Sequence, residues 1–324
     1  MTPRMESYVT RLSGPRIRRL GRLAAVAIMA LGLGALIVTF ALGIGALQRA
    51  SLTGNPEIAA TAAALALGYW VLGGVAWWGV LQVLDHRTPT PGGRIRLLDG
   101  LRIFFIGNVS RYLPGSLWFA ASRVLLARRV GLLGDRVAFS MVLELVLIAT
   151  AGALIVVATA PSLIGGGTLA AWPAMLAAGV GLLALRALSS GSVLRWTARW
   201  RHGASDQPLA FGVTALLVAG YVGVWLVAGA SLFFTASLFA PLSWRDLPGV
   251  MGAWSIAFLL GLVSPFTPAG IGVRDATATL LLARFMPLSA AAGAALTFRA
   301  LLTAAEVLCL APLLPGVAAI MRRI

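Results

Sequence analysis

Six long runs of apolar residues divide this chain and limit what it can fold into more than any other feature. The runs cover residues 23–47, 58–84, 137–160, 172–188, 211–239 and 290–314. A helix needs about 20 predominantly apolar residues to cross the hydrocarbon core of a bilayer. Apolar residues make up 59% of the chain and charged residues 11%, and a soluble domain could not bury this excess. We therefore predict an all-α integral membrane protein with six full transmembrane helices, which excludes a soluble enzyme, a disordered chain and a nucleic-acid-binding domain.

Two further apolar stretches, residues 97–130 and 250–286, are interrupted near their middles by proline and glycine. Each stretch has two apolar arms of roughly 12–18 residues, and an arm of that length does not cross a bilayer with ease. Two such arms can enter the membrane and return as a re-entrant hairpin, provided that protein covers the break. We expect two re-entrant half-helix hairpins, whose second arms begin near Ser116 and Ile271.

The arginines indicate the orientation of the chain. All 26 basic residues are arginine, and the formal net charge is +16. Cytoplasmic loops of membrane proteins carry an excess of basic residues. Arginines are frequent in residues 1–22, 87–136, 195–201 and 322–323, whereas the segments predicted on the opposite side carry Arg49, Arg245 and Arg284. We predict a bacterial cell membrane protein with a cytoplasmic Arg-rich N-terminus at 1–22 and a cytoplasmic C-terminus.

The order of crossings and hairpins predicts an inverted repeat. Residues 23–160 contain two crossings, the hairpin 97–130 and a third crossing, and residues 161–324 contain the same series with the hairpin 250–286. Three crossings separate the two hairpins, so the second half has the opposite orientation in the membrane. Inverted repeats with broken helices are typical of secondary transporters, whose substrate site lies where the halves meet. The alternative is a chance recurrence of breaks, because proline and glycine are common in membrane helices.

Three charged residues lie within predicted crossings and need a partner or a polar cavity. Glu144 is flanked by apolar residues, and Arg299 occupies a nearly equivalent place in the last crossing. Glu306 follows Arg299 by two helical turns and so shares its face. One interpretation is a structural ion pair of Arg299 with Glu144 or Glu306, and the other is a role in gating or substrate binding.

The residues around the two breaks predict a site for an anionic headgroup. The second arms of the hairpins would begin at mid-depth, where their free N–H groups favour anions. Neighbouring guanidinium groups bind phosphate in a bidentate fork. Glycine and proline at the breaks would permit tight turns. The predicted headgroup-binding residues are Arg111, Arg123, Arg274, Arg299, Pro114, Gly115, Gly270 and Gly272. The alternative is that the arginines beside the breaks serve only as topology signals at the membrane interface.

Two motifs resemble those of the lysylphosphatidylglycerol synthase transmembrane (flippase-like) family. The first reads RYLPGSLW at residues 111–118, followed by Arg123 and the Glu144 crossing; the second reads PAGIGVRD at residues 268–275, followed by the Arg299 crossing. The second motif departs from the usual Gly-Gly-x-Gly followed by Glu, because this chain has Ala269 and Asp275. The resemblance implies a protein similar to the flippase domain of the multiple peptide resistance factor, a domain that moves aminoacylated phosphatidylglycerol. It implies transport without the cytoplasmic synthase domain of that factor.

These patterns together predict a transporter that moves an anionic phospholipid, or a polyprenyl-phosphate-linked lipid, between leaflets by alternating access. Glu144, Asp275 and Glu306 are the predicted gating or ion-pair residues, which hold the arginines when the site is empty. We expect no catalytic residues, cofactor, metal or nucleic-acid partner, and a separate lipid-modifying or envelope enzyme as a partner. The alternative is a non-transporting membrane subunit or lipid-phosphate-processing partner of a cell-envelope complex. No sequence feature specifies the oligomeric state.

Overall fold

The computed structural model of the chain describes residues 55–87, 95–111, 117–164, 209–263 and 272–321, together with the single residues 38, 41 and 45. All regular structure in these ranges is helical. In chain order the helices are α1 (Pro56–Arg87), α2 (Leu97–Ser110), α3 (Leu117–Arg129), α4 (Gly134–Ile164), α5 (Phe211–Ser237), α6 (Leu247–Val263), α7 (Val273–Leu282), α8 (Leu288–Leu310) and α9 (Leu314–Met321). The N-terminal segment 1–22 and the predicted crossings 23–47 and 172–188 lie outside the described residues, apart from those three single positions.

Four helices are long and apolar enough to cross a membrane within the described part of the chain. They are α1, α4, α5 and the last crossing, in which α8 continues through the 3₁₀ turn Ala311–Leu313 into α9. Their positions match the predicted crossings 58–84, 137–160, 211–239 and 290–314. The 3₁₀ turn begins where proline removes a backbone donor from the helix. The chain is therefore a multi-pass membrane protein.

The two interrupted stretches each form a pair of short helices. In the first stretch α2 has 14 residues and α3 has 13, and the two helices pack on each other. In the second stretch α6 has 17 residues, α7 has 10, and these two also pack together. The second arms begin at Leu117 and Val273, one and two residues beyond the predicted starts. Proline and glycine in both breaks explain why the helices end where the sequence indicates.

The pattern of contacts between helices stays the same when α1, α2, α3 and α4 are swapped in that order with α5, α6, α7 and α8. The pair α1–α2 matches α5–α6, α2–α3 matches α6–α7, and α3–α4 matches α7–α8. Across the halves, α4–α5 matches α8–α1 and α4–α6 matches α8–α2, while α1 packs directly on α5. The same exchange relates two hydrogen bonds, one from α1 to α8 and one from α5 to α4. Trp70 of α1 donates to the carbonyl of Leu302 at 2.7 Å, and Trp225 of α5 donates to that of Ile148 at 3.1 Å.

The long helices are apolar on more than one face, so part of each apolar surface is buried against other helices and part remains outside. Trp77, Leu81 and Leu232 are among the fully buried side chains of the core between helices. Leu216 and Leu280 are instead 73% and 67% exposed. Large exposed apolar side chains of this kind are costly in water and favourable against lipid. The apolar outer surface is consistent with a bilayer environment.

Candidate functional site

The charged residues that flank the two hairpin breaks lie close together. Arg111 directly follows α2, and Arg274 is the second residue of α7. The charge of Arg274 interacts electrostatically with those of Arg111, Arg299 and Asp275. We call the group of Arg111, Arg274, Asp275, Arg299 and Glu306 the hairpin junction. Five of the residues that the sequence predicts for the site are thus brought to one place, although they come from three helices.

Two ion pairs connect the helices of the hairpin junction. Arg111 Nη2 lies 2.9 Å from Glu306 Oε2, which joins the end of α2 to α8. Arg299 Nη1 lies 2.6 Å from Asp275 Oδ2, which joins α8 to α7. The predicted pairing of Arg299 with Glu144 or Glu306 is therefore not observed. Glu306 is about 10 Å farther along the axis of α8 than Arg299, so these two side chains contact different neighbouring helices.

Arg274 is held by aromatic rings. Its guanidinium carbon lies 4.0 Å from the ring centre of Phe258 and 5.6 Å from that of Trp254, both on α6. Its Nε atom is buried and has no hydrogen-bond partner among the described residues. Among those residues, no carboxylate forms an ion pair with Arg274, since the adjacent Asp275 is paired with Arg299. Cation–π contacts stabilise the charge but leave hydrogen-bond donors unused. Arg274 can therefore donate to an anion.

Asp275 connects the start of α7 to α8 through one oxygen atom. Asp275 Oδ2 accepts a hydrogen bond from the backbone N–H of Gly272 at 3.1 Å as well as the bond from Arg299. Gly272 has φ +89, a conformation that side chains with a Cβ rarely adopt, and it precedes the first residue of α7. This φ is one that glycine adopts readily, and the predicted roles of Gly272 in a tight turn and in headgroup binding stay predictions. Pro114, Gly115 and Gly270 lie outside the described residues.

Arg123 and Glu144 form a third ion pair, whose carboxylate also interacts electrostatically with Tyr69 of α1. Arg123 Nη1 lies 2.5 Å from Glu144 Oε2, and Arg123 is fully buried. Its guanidinium carbon also lies 4.5 Å from the ring centres of Trp77 and Phe119 and 4.9 Å from that of Phe104. An anionic headgroup could reach Arg123 only if this enclosure opened. The predicted headgroup role of Arg123 and the gating role of Glu144 stay predictions.

Two aromatic residues of α1 belong to the junction, and sequence reasoning missed this. The guanidinium carbon of Arg111 lies 5.1 Å from the ring centre of Trp70. Tyr69 interacts electrostatically with Arg274, Arg111 and Glu306. Neither residue belongs to a charged motif, and their spacing along α1 does not distinguish them from core aromatics. Only the packing of α1 beside α2 and α8 brings these two residues to the junction.

The junction is suited to binding an anion. Its described residues carry three guanidinium groups and two carboxylates, beside a tyrosine hydroxyl that can donate or accept. Guanidinium groups match the geometry of phosphate, and the first backbone N–H groups of a helix such as α7 have no acceptor within the helix itself. Among the described residues, no group of three His, Cys, Asp or Glu could hold a metal ion.

Comparison with known families finds one match that covers most of the chain. The model of a family described as the lysylphosphatidylglycerol synthase TM region matches residues 23–309. The matched range includes both interrupted stretches and the last crossing through Arg299 and Glu306. A comparison with curated proteins finds no significant match.

Proposed function

The chain belongs to the lysylphosphatidylglycerol synthase TM-region family, and from this membership we propose that it moves an anionic lipid from one leaflet of the membrane to the other. The proposed substrate is a phosphatidylglycerol-like phospholipid or a polyprenyl-phosphate-linked lipid. The headgroup enters the hairpin junction while the acyl chains stay in the surrounding lipid. The lipid is transported unchanged, so the proposal requires no chemical step.

The convergence of Arg111, Arg274 and Arg299 carries this proposal. Like charges repel each other, and their grouping in a low-dielectric interior is costly unless an anion compensates it. Two carboxylates compensate part of the charge, and Arg274 is without an ion-pair partner among the described residues. A phosphate group would supply the missing acceptor. It would compete with Asp275 for Arg299 and with Glu306 for Arg111, so binding would replace one set of ion pairs by another.

Alternating access requires two parts of the protein that move against each other. We propose that residues 23–160 and 161–324 form an inverted repeat of three crossings and one re-entrant hairpin each. The matched helix contacts and the paired hydrogen bonds of Trp70 and Trp225 support this proposal. The junction takes residues from both halves, as expected for a substrate site at a repeat interface. Rocking of one half against the other would expose the junction to each leaflet in turn.

We further propose that the protein resides in the bacterial cell membrane with both termini in the cytoplasm. The arginine asymmetry along the sequence supports this orientation. A separate enzyme that modifies lipid headgroups or builds the cell envelope would supply or use the transported lipid.

Reconstitution into liposomes tests the proposed function. The protein is inserted into vesicles containing a fluorescent phosphatidylglycerol, and a membrane-impermeant quencher reports the labelled lipid in the outer leaflet. We expect loss of fluorescence beyond the outer-leaflet fraction with phosphatidylglycerol and little with phosphatidylcholine, which has no net charge. Equal transfer of both lipids would contradict selection by the arginines. Absence of transfer would contradict the proposed function and favour a role as a non-transporting subunit.

Matched arginine variants test the site. Arg274→Gln and Arg299→Gln remove a charged donor and should each lower transfer by about tenfold or more, because a hydrogen bond to a charged group contributes about 1.5–3 kcal/mol. Arg284→Gln is the matched control, since Arg284 is exposed just beyond α7. It should transfer lipid at the rate of the unsubstituted protein. If the junction variants are folded and also transfer at that rate, the site assignment is wrong.

A further inference from the structure

Each half of the chain has an ion pair between the second arm of its hairpin and the crossing that follows, but the charges of the two pairs are reversed. In the first half, the cation Arg123 lies on α3 and the carboxylate Glu144 on α4. In the second half, the carboxylate Asp275 lies on α7 and the cation Arg299 on α8. Each pair joins the second arm of a hairpin to the crossing that follows it. We call them the first hairpin pair and the second hairpin pair.

The surroundings of the two pairs differ. The side chains of Arg123 and Glu144 are 0% and 9% exposed, and three aromatic rings from α1, α2 and α3 surround the guanidinium. The side chains of Arg299 and Asp275 are 13% and 18% exposed. Separating the first pair would leave two charges in an apolar interior, which is strongly unfavourable. Separating the second pair is easier, because both groups already reach the surface of the junction.

The two hairpins also differ at one glycine each. A Cβ atom built on Gly272 would meet no other atom within 4 Å. In the first hairpin, Gly107 of α2 lies directly against the side chain of Arg123 and adds to the enclosure of this arginine. Asp275 can keep its hydrogen bond from the Gly272 N–H when Arg299 turns to another acceptor, because that bond joins α7 to the residue directly before it and does not involve α8.

We propose that the first hairpin pair is a permanent connection that positions α3 against α4, and that only the second hairpin pair opens when the headgroup binds. Arg123 is then a positioning residue and not a headgroup ligand, and α7 is the part of the hairpins that moves against the following crossing. This proposal rests on the proposed lipid transfer and assigns unequal roles to the two halves. The arrangement of charges in the second hairpin pair supports this proposal. Its cation lies on the long helix α8, so a phosphate can take the place of Asp275 beside Arg299 when α7 moves.

Removing both charges of each pair tests this assignment. Arg123→Met/Glu144→Leu replaces the first pair by apolar side chains, and methionine packs well against aromatic rings. A buried pair with only a structural role can be replaced in this way without loss. We expect transfer within about twofold of the unsubstituted protein. Asp275→Asn/Arg299→Gln is the matched variant of the second pair, and it should fold but transfer at least about tenfold more slowly.

The outcomes separate this proposal from the proposed function. If the unsubstituted protein transfers lipid and the folded Arg123→Met/Glu144→Leu variant does not, the permanent connection is wrong while lipid transfer stands. Absence of transfer by the unsubstituted protein would contradict the proposed function itself.

Hydrogen exchange of the unsubstituted protein gives a second measurement that does not require the double variant to fold. The protein is placed in nanodiscs of phosphatidylcholine with or without phosphatidylglycerol. The anionic lipid should change amide exchange in residues 273–282 and leave residues 117–129 unchanged. An equal change in both segments would overturn the proposal.

Discussion

Replacing Arg123 by alanine removes one partner of a fully buried ion pair and leaves Glu144 in an apolar surrounding. Loss of one partner from such a pair costs about 3–5 kcal/mol. The substitution also removes the contacts of the guanidinium with Trp77, Phe104 and Phe119, and a desolvated cation–π contact contributes about 2 kcal/mol. These contributions overlap, so we expect a total loss of about 4 kcal/mol, which is close to a thousandfold in the unfolding equilibrium.

The assay is reversible unfolding in bicelles, followed by tryptophan fluorescence, since Trp77 lies against the substituted side chain. Arg128→Ala is the matched control on the same helix, because Arg128 is exposed. An exposed substitution of this kind should change the free energy of unfolding by less than about 0.5 kcal/mol. Glu144→Gln should fall between the two variants, because its amide oxygen can still accept a hydrogen bond from Arg123. If Arg123→Ala unfolds as easily as Arg128→Ala, the enclosure does not contribute to stability and the reasoning on the first hairpin pair fails.

Three further predictions concern other parts of the molecule. Trp70→Phe and Trp225→Phe each remove the indole donor of a hydrogen bond between two helices. Both should lower the free energy of unfolding by a similar amount, about 1–3 kcal/mol, and a cost at only one of them would contradict the matched arrangement. Gly252→Ala should lower the free energy of unfolding by about 1–3 kcal/mol, because a Cβ atom there would press on α4. Gly79→Ala places its Cβ where no atom lies within 4 Å, and it should raise the free energy of unfolding by up to about 1 kcal/mol. Thermal unfolding that finds Gly252→Ala more stable than Gly79→Ala would refute this prediction. Tyr69→Phe should leave thermal unfolding within about 1 kcal/mol of the unsubstituted protein and lower liposome transfer severalfold, and unchanged transfer would exclude the hydroxyl from headgroup binding.

The helix boundaries of the two hairpins could be predicted closely from the sequence. Helix ends depend on local chemistry, and proline and glycine prevent a helix from continuing whatever surrounds it. The predicted starts of the second arms, near Ser116 and Ile271, therefore differ by only one and two residues from the observed starts at Leu117 and Val273.

The partners of the charged residues could not be predicted in the same way. One interpretation of the sequence pairs Arg299 with Glu144 or Glu306, but Arg299 pairs with Asp275, and Glu306 pairs with Arg111, 195 positions earlier in the chain. A periodic pattern shows which face of a helix a residue occupies but not which helix will lie opposite that face. The aromatic enclosure of Arg123 was missed for the same reason, because its rings come from three different helices.

The amino-acid sequence by itself determined that this chain enters lipid, which segments are long enough to cross it, where the hairpins break and which charges have to be accommodated inside. These properties follow from side-chain transfer energies and backbone geometry, which act over a few helical turns. Only the tertiary structure decided which charges neutralise each other, which arginine lies against aromatic rings with no carboxylate paired to it among the described residues, and which ion pair is enclosed. Those outcomes depend on distances of a few ångströms between helices far apart in the chain, and packing of the whole helix set establishes these distances.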